Sequence, residues 1–301
     1  KSVSVAWLLL GACAAPTPRP AAPPARATAN STQEAWLTQL DRAHPLVGKI
    51  WDVKARAFVD ETTLGERAVK ARFVLLGERY DNPDHHRLQA RVVERLVKAG
   101  RHPALVVEML EPAQQLLVDE YLARTGANAV GLGVAVGWEK TSWPPFSEYQ
   151  PIFEAALGGK LRIAAGNLAQ ADVKALVKQG VAALPPERVQ ELRLAEPFPA
   201  ALQAPLVEEM RASHCGQLPE ELLAPMALAQ RARDAQMARA LLNEGATDGA
   251  VLIAGGGHAR LDRAAPRYLE LEAPGSSVVS ISMREVRHDA TDPRAYAADS
   301  G

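Results

Sequence analysis

One strand–loop–helix unit constrains this chain more than any other feature. The apolar run Arg72-Phe73-Val74-Leu75-Leu76 stops at Gly77, and a dense set of ionisable residues follows, from Glu78 to His86. A helix signal comes next. Asn82 suits an N-cap, Pro83 the first helical position and Asp84 the positive end of the helix dipole. Leu88, Val92, Val93, Leu96 and Val97 then recur at helical spacing until Gly100. In an open parallel sheet, loops of this kind at strand ends are where ligands bind.

Similar short apolar runs follow at Ala104–Val107, Leu161–Ala165, Ala250–Ala254 and Ser277–Ile281. Helix-length stretches separate them, which is the pattern of a parallel sheet covered on both faces. For Leu161–Ala165, rich in alanine, a buried helix is the alternative. The predicted fold class is therefore α/β, a mostly parallel central sheet flanked by helices. Between Leu176 and Leu242, prolines punctuate short helical stretches without a β-branched run. This predicts a helical insertion in the second half, closing with a helix from about Pro225 to Asn243. Short helices are expected over Gln33–Arg42 and Thr63–Lys70, and a small strand pair over 48–53 and 57–59.

The predicted strands end alike. Glu78, Glu108, Asn167 and His258 each stand at or just past a strand end, so a parallel sheet brings them to one edge. That edge is the expected site. On the last insertion helix, Gln230, Arg233, Asp234 and Met237 lie on neighbouring faces, read either as part of that site or as a solvated face with local charge pairing.

Charge and composition exclude other classes. Lys and Arg total 34 against 35 Asp and Glu, with no basic block, which argues against nucleic acid as a partner. Lys1, the apolar stretch Val3–Leu10 and Leu10-Gly11-Ala12-Cys13 describe a secretory signal over 1–13 ending in a bacterial lipobox. Cys13 would carry the lipid, and residues 14–32, rich in Ala, Pro and Thr, would tether a domain over 33–287, with a loose tail over 288–301. An exported lipoprotein of the cell envelope, at the outer membrane, is the expected location. Cys215 then has no disulfide partner, and beside His214 it reads as a structural thiol.

Several of these pieces together resemble the ChaN-like family of haem-binding lipoproteins. They are Leu75-Leu76-Gly77-Glu78 with Asp81-Asn82-Pro83 and His85-His86, Glu108-Met109, the Trp138–Tyr149 segment with Pro151, and Ala165-Gly166-Asn167. His214-Cys215-Gly216, Gln230 with Arg233-Asp234 and Met237-Ala238, and Ile253 to Arg260 complete the set, in order from about residue 46 to 285. The resemblance implies a homodimer that holds two haems face to face. In that family a tyrosine of one subunit ligates each ferric iron, and a histidine and a lysine of the other hold the propionates. It further implies a role in bacterial haem and iron acquisition, with haem-uptake proteins as further partners. The wider superfamily includes erythromycin esterase-like and Tiki-type hydrolases with two Gly-x-x-His motifs. Here the second stands at Gly255–His258, whereas the first has become Gly77-Glu78-Arg79-Tyr80. Tyrosine is a poor base near neutral pH but a known haem axial ligand, so the exchange favours haem over hydrolysis.

Tyr80 is thus the first candidate for the iron ligand, against a reading in which its hydroxyl bonds a neighbouring carboxylate. Tyr149 is the second, within the aromatic segment that holds Trp138, Trp143 and Phe146. His85, His86, His258 and Lys140 are candidates for the propionates, with Lys54 as an alternative lysine. His86 can equally be a buried histidine that pins the loop. If the chain is instead a hydrolase, metal-dependent or carboxylate-based, Glu78 and Glu108 form its acid–base pair with His258. Otherwise the two glutamates orient the loop through arginines.

Overall fold

Glycines and caps divide the chain into alternating strands and helices. A computed structural model of the protein describes residues 35–214 and 216–297. The expected signal peptide, lipobox Cys13 and expected tether, and also Cys215, lie outside the described residues. One compact unit begins at Trp36.

Strands β1 (Ile50–Asp52) and β2 (Ala57–Val59) pair antiparallel, with Trp51 edge-on to Phe58. Asp60 caps α1 (Glu61–Lys70) by accepting from the Thr63 N–H at 2.7 Å. The main units follow as β3 (Phe73–Glu78), α2 (Pro83–Lys98), β4 (Ala104–Val107), α3 (Pro112–Leu122) and α4 (Ala129–Ala135). After a 3-10 turn at Trp138–Lys140 come α5 (Phe146–Gly158), β5 (Ile163–Ala165), α6 (Gln170–Gln179) and α7 (Pro186–Glu191). Then come α8 (Ala200–Ser213), α9 (Glu220–Glu244), β6 (Ala250–Gly255), α10 (Ala265–Glu272), β7 (Val278–Ser282) and α11 (Arg294–Ala297).

Five strands form one parallel sheet in the order β5-β4-β6-β3-β7. The expected fold class is the observed one, and within the Leu161–Ala165 run Ile163–Ala165 is strand rather than helix. Side chains alternate across each strand, and both faces are packed. Val74 and Leu76 of β3, Leu105 and Val107 of β4, and Val251 and Ile253 of β6 face α2 and α5. Phe73 and Leu75, Ala104 and Val106, and Ala250, Leu252 and Ala254 face α9 and α10. On α9, Ala232, Ala235 and Ala238 make the inner face, whose small side chains allow close approach to the sheet.

Some boundaries differ from expectation. No helix forms over the described part of 33–42, which runs as turns. Its apolar residues Leu37 and Leu40 are exposed, so no buried face holds a helix there. Instead the Leu37 and Thr38 N–H groups donate to Asp84, strapping this segment onto the start of α2. Helix α9 begins before Pro225, because Leu223 and Ala227 pack on Leu206 and Met210 of α8 and stabilise the early turns. The stretch after Val286 is not featureless. Arg287 lies over the Tyr296 ring, and the Tyr296 hydroxyl donates to the Ala290 carbonyl at 2.8 Å. Among the described residues no helix is long and apolar enough to cross a membrane.

Candidate functional site

The register sets the site. Glu78, the last residue of β3, lies opposite Gly255, the last of β6, and the Glu108 N–H donates to the Ile253 carbonyl at 3.0 Å. Three strand ends therefore finish level at the carboxyl edge of the sheet, the place where open α/β sheets build sites.

Glu108 is the hub of that edge. It is fully buried and accepts from the Tyr80 hydroxyl at 3.0 and 3.2 Å, from the Gly255 N–H at 2.7 Å, and from Arg233. His258 Nε2 lies 3.5 Å from the same carboxylate, and its Nδ1 lies 2.6 Å from Asp234. Arg233 also donates to Asn167 at 3.0 Å. Burial alone would push Glu108 up, but the His258 and Arg233 charges and the hydrogen bonds outweigh it, so its carboxyl lies below the usual range. Asp234 goes the other way. Burial raises it to about 6, although His258 and Arg233 oppose the rise. Arg233 is disfavoured as a cation by burial, yet Glu108, Tyr80 and Asp234 hold it firmly charged.

Glu78 belongs to the other face of the sheet. Strand alternation points it with Leu76 and Val74 toward α2 and α5, whereas Glu108 follows Val106 toward α9. The Tyr149 hydroxyl donates to Glu78 at 2.7 Å, and His86 Nε2 stands 3.4 Å from its second oxygen. The His86 ring lies on Tyr149 with centroids 4.0 Å apart, and its Nδ1 looks toward Glu148 at 4.0 Å. The expected acid–base pair of Glu78 and Glu108 is thus divided. Each carboxylate holds its own tyrosine and histidine, and no bond joins the two among the described residues.

The remaining candidates are dispersed. His85 is buried and accepts the Arg79 N–H at Nδ1, which pins the loop before α2. Burial, then the neighbouring His86, lowers it to about 4, so it stands neutral. Lys140 and Lys54 are exposed, the first in the 3-10 turn and the second in the β1–β2 turn. Of the predicted α9 residues, Gln230, Arg233 and Asp234 join the site while Met237 enters the core. Sequence reasoning missed Glu209 of α8, whose carboxylate pairs with Arg263 beside Gly257. Nothing in the proline-punctuated insertion singled it out.

A haem site needs an iron ligand, a flat apolar contact and cations for two carboxylates. Tyr80 is half-buried at the edge, its ring 5.2 Å from that of Trp143, and it shares the Glu108 carboxylate with Arg233. Tyr149 is completely buried under Trp138 and His86. Both hydroxyls are turned onto carboxylates. Burial and then Glu108 raise Tyr80 far above the ordinary phenol range, with Arg233 opposing, and burial and then Glu78 do the same to Tyr149. In position Tyr80 fits the group better than Tyr149, and it is the protonated phenol that the structure holds.

The model of the family described as haem-binding uptake, Tiki superfamily, ChaN, matches residues 64–269, which span the whole edge from Tyr80 to His258. Among curated proteins none matches. The solved structure described as cofacial haem binding to ChaN of Campylobacter jejuni superposes with a TM-score of 0.67 at 20% identity, covering 81% of this chain and 93% of that one. The type III effector HopBA1 gives a TM-score of 0.41 at 14% identity over 76% of this chain and 84% of its own. With the sheet topology and the family match in agreement, this chain belongs to the ChaN family of haem-binding uptake proteins in the Tiki superfamily.

Proposed function

We propose that this chain captures ferric haem in bacterial haem and iron acquisition, as a lipid-anchored envelope protein that works as a homodimer. The observation that carries the reading is Tyr80, half-buried beside Trp143 at the sheet edge, with its hydroxyl on Glu108. Ferric haem would supply a cationic centre that favours a phenolate over a phenol. Glu108 accepts the hydrogen bond of the Tyr80 phenol, and Arg233 would offset the negative charge that a phenolate adds beside it. Trp143 offers a flat apolar surface, and exposed lysines such as Lys140 are available to propionates. Leu116, Val130 and Val134, exposed on α3 and α4, provide apolar surface for a second copy.

A hemin titration followed by Soret absorbance, beside Tyr80→Phe and Tyr149→Phe, tests the ligand. Saturable binding whose ferric-phenolate spectrum is lost in Tyr80→Phe supports the reading. Absence of saturable binding by a folded dimer overturns it. The 2.6 Å contact of His258 with Asp234 favours a hydrolase as the second reading. That reading predicts an esterase activity removed by His258→Ala and unaffected by haem.

A further inference from the structure

Helix α8 is attached to the rest of the protein by little apolar surface. Its fully buried residues are Leu206 and Met210, which with the partly buried Val207 pack on Leu223, Met226 and Ala227 of α9 in a small cluster separate from both sheet cores. Its polar tie to the site is Glu209. One carboxylate oxygen accepts from Arg263 Nη2, and the other lies over Gly257, 2.6 Å from where a Cβ would stand. Gln230 Nε2 lies 3.7 Å from the same point, so Glu209 covers the glycine loop that leads to His258.

Arg263 is built into the body of the protein. Its side chain is 8% exposed, it donates to Asp262 at 2.7 Å through Nη1, and its buried Nε has no hydrogen-bond partner among the described residues. Asp262 is shared, since it also accepts Arg260 at 2.8 and 2.9 Å. A buried guanidinium presents a planar fork suited to a carboxylate. Here the second carboxylate comes from a peripheral helix rather than from the core.

We propose that Arg263 is an anion seat at the His258 edge, that Glu209 is its internal occupant, and that α8 is the lid which this pair holds shut. A carboxylate-bearing ligand takes the place of Glu209 on Arg263, and α8 lifts as it enters. A Cβ on Gly257 would lie 2.6 Å from the Glu209 carboxylate, so the glycine leaves room for this pair. The lid and the seat stand on the geometry alone. That the carboxylate is a haem propionate rests on the haem-binding reading.

The test uses the full chain and its Glu209→Gln and Arg263→Leu variants. Amide hydrogen exchange across 200–213 should rise about tenfold in Glu209→Gln while the central turns of α9 stay protected. Millimolar benzoate should accelerate the same segment in the wild type, against chloride at equal ionic strength, and have no effect in Arg263→Leu. Unchanged α8 exchange in Glu209→Gln overturns the lid. An equal benzoate effect in wild type and Arg263→Leu overturns the seat. Hemin and its dimethyl ester then separate the propionate. Glu209→Gln should bind the free acid about threefold to tenfold more tightly and the ester no better. An equal gain for acid and ester removes the propionate from the seat. If neither porphyrin binds any variant, the haem reading fails, while exchange and benzoate still decide the lid and seat.

Discussion

A Cβ on Gly255 would lie 2.1 Å from the hydroxyl oxygen of Tyr80. The tyrosine can reach Glu108 only by passing its phenol over the last residue of β6, and that residue can only be glycine while it does so. The absence of one side chain on the central strand thus admits the hydroxyl to the hub of the site.

Gly255→Ala should therefore break the Tyr80–Glu108 bond and lower stability by about 1–3 kcal/mol, the usual range for an overpacked site. Combined with Tyr80→Ala, which removes the obstacle, its cost should be less than additive. Urea unfolding of the two single variants and the double checks this. Additive losses would place the glycine requirement elsewhere.

Arg233 is paired with Glu108, a carboxylate with no solvent exposure. Its replacement by Ala should cost about 3 kcal/mol or more, because breaking a buried pair leaves an uncompensated charge. Glu108→Gln in the same chain should recover part of that loss. Thermal unfolding of the cycle reads the coupling, and a double variant weaker than Arg233→Ala alone would contradict the pairing.

His85 links stability to pH. Its folded value of about 4 lies below the unfolded value near 6.5, so the unfolded chain takes up the proton first as pH falls. The contribution is complete above about pH 6.5 and is lost as pH drops to about 4, on the order of 3 kcal/mol in all. His85→Asn keeps an acceptor for the Arg79 N–H and should change stability little at pH 7. The gap between wild type and variant should then move in the variant's favour as pH falls. A gap that stays constant from pH 7 to 4.5 would remove His85 as the linked group.

Asp84 holds the segment before β1 by accepting the Leu37 and Thr38 N–H groups at 2.9 and 2.8 Å. Burial pushes its carboxyl up, but these bonds and Arg87 outweigh burial and leave it low. Asp84→Ala should release the strap. Limited proteolysis would then cut within 36–42 at a much higher rate, while cutting inside α2 stays slow. Equal cutting of wild type and variant would show that another contact holds the segment.

The order of strands and helices was legible in the sequence because both leave periodic traces. Short apolar runs ending in glycine mark buried parallel strands, and Asn82-Pro83 marks a helix start. Those traces led to the α/β class and to Glu78, Glu108, Asn167 and His258 as a shared edge. The 33–42 segment deceived because its apolar residues have helical spacing but no surface to cover. Glu209 left no trace, since its role depends on a helix folding back onto a loop distant in sequence.

By itself, then, the sequence determined which residues end the strands and that the strands run parallel, because local propensity and hydrophobic period act within a few residues. Only the tertiary structure decided which face each strand end serves. Glu78 and Glu108 stand at equivalent places in the chain pattern, yet alternation in the sheet sends one to Tyr149 and His86 and the other to Tyr80, Arg233 and His258. The parity of a residue relative to its neighbours in the sheet is a property of the register, and register is set by the packing of both faces at once.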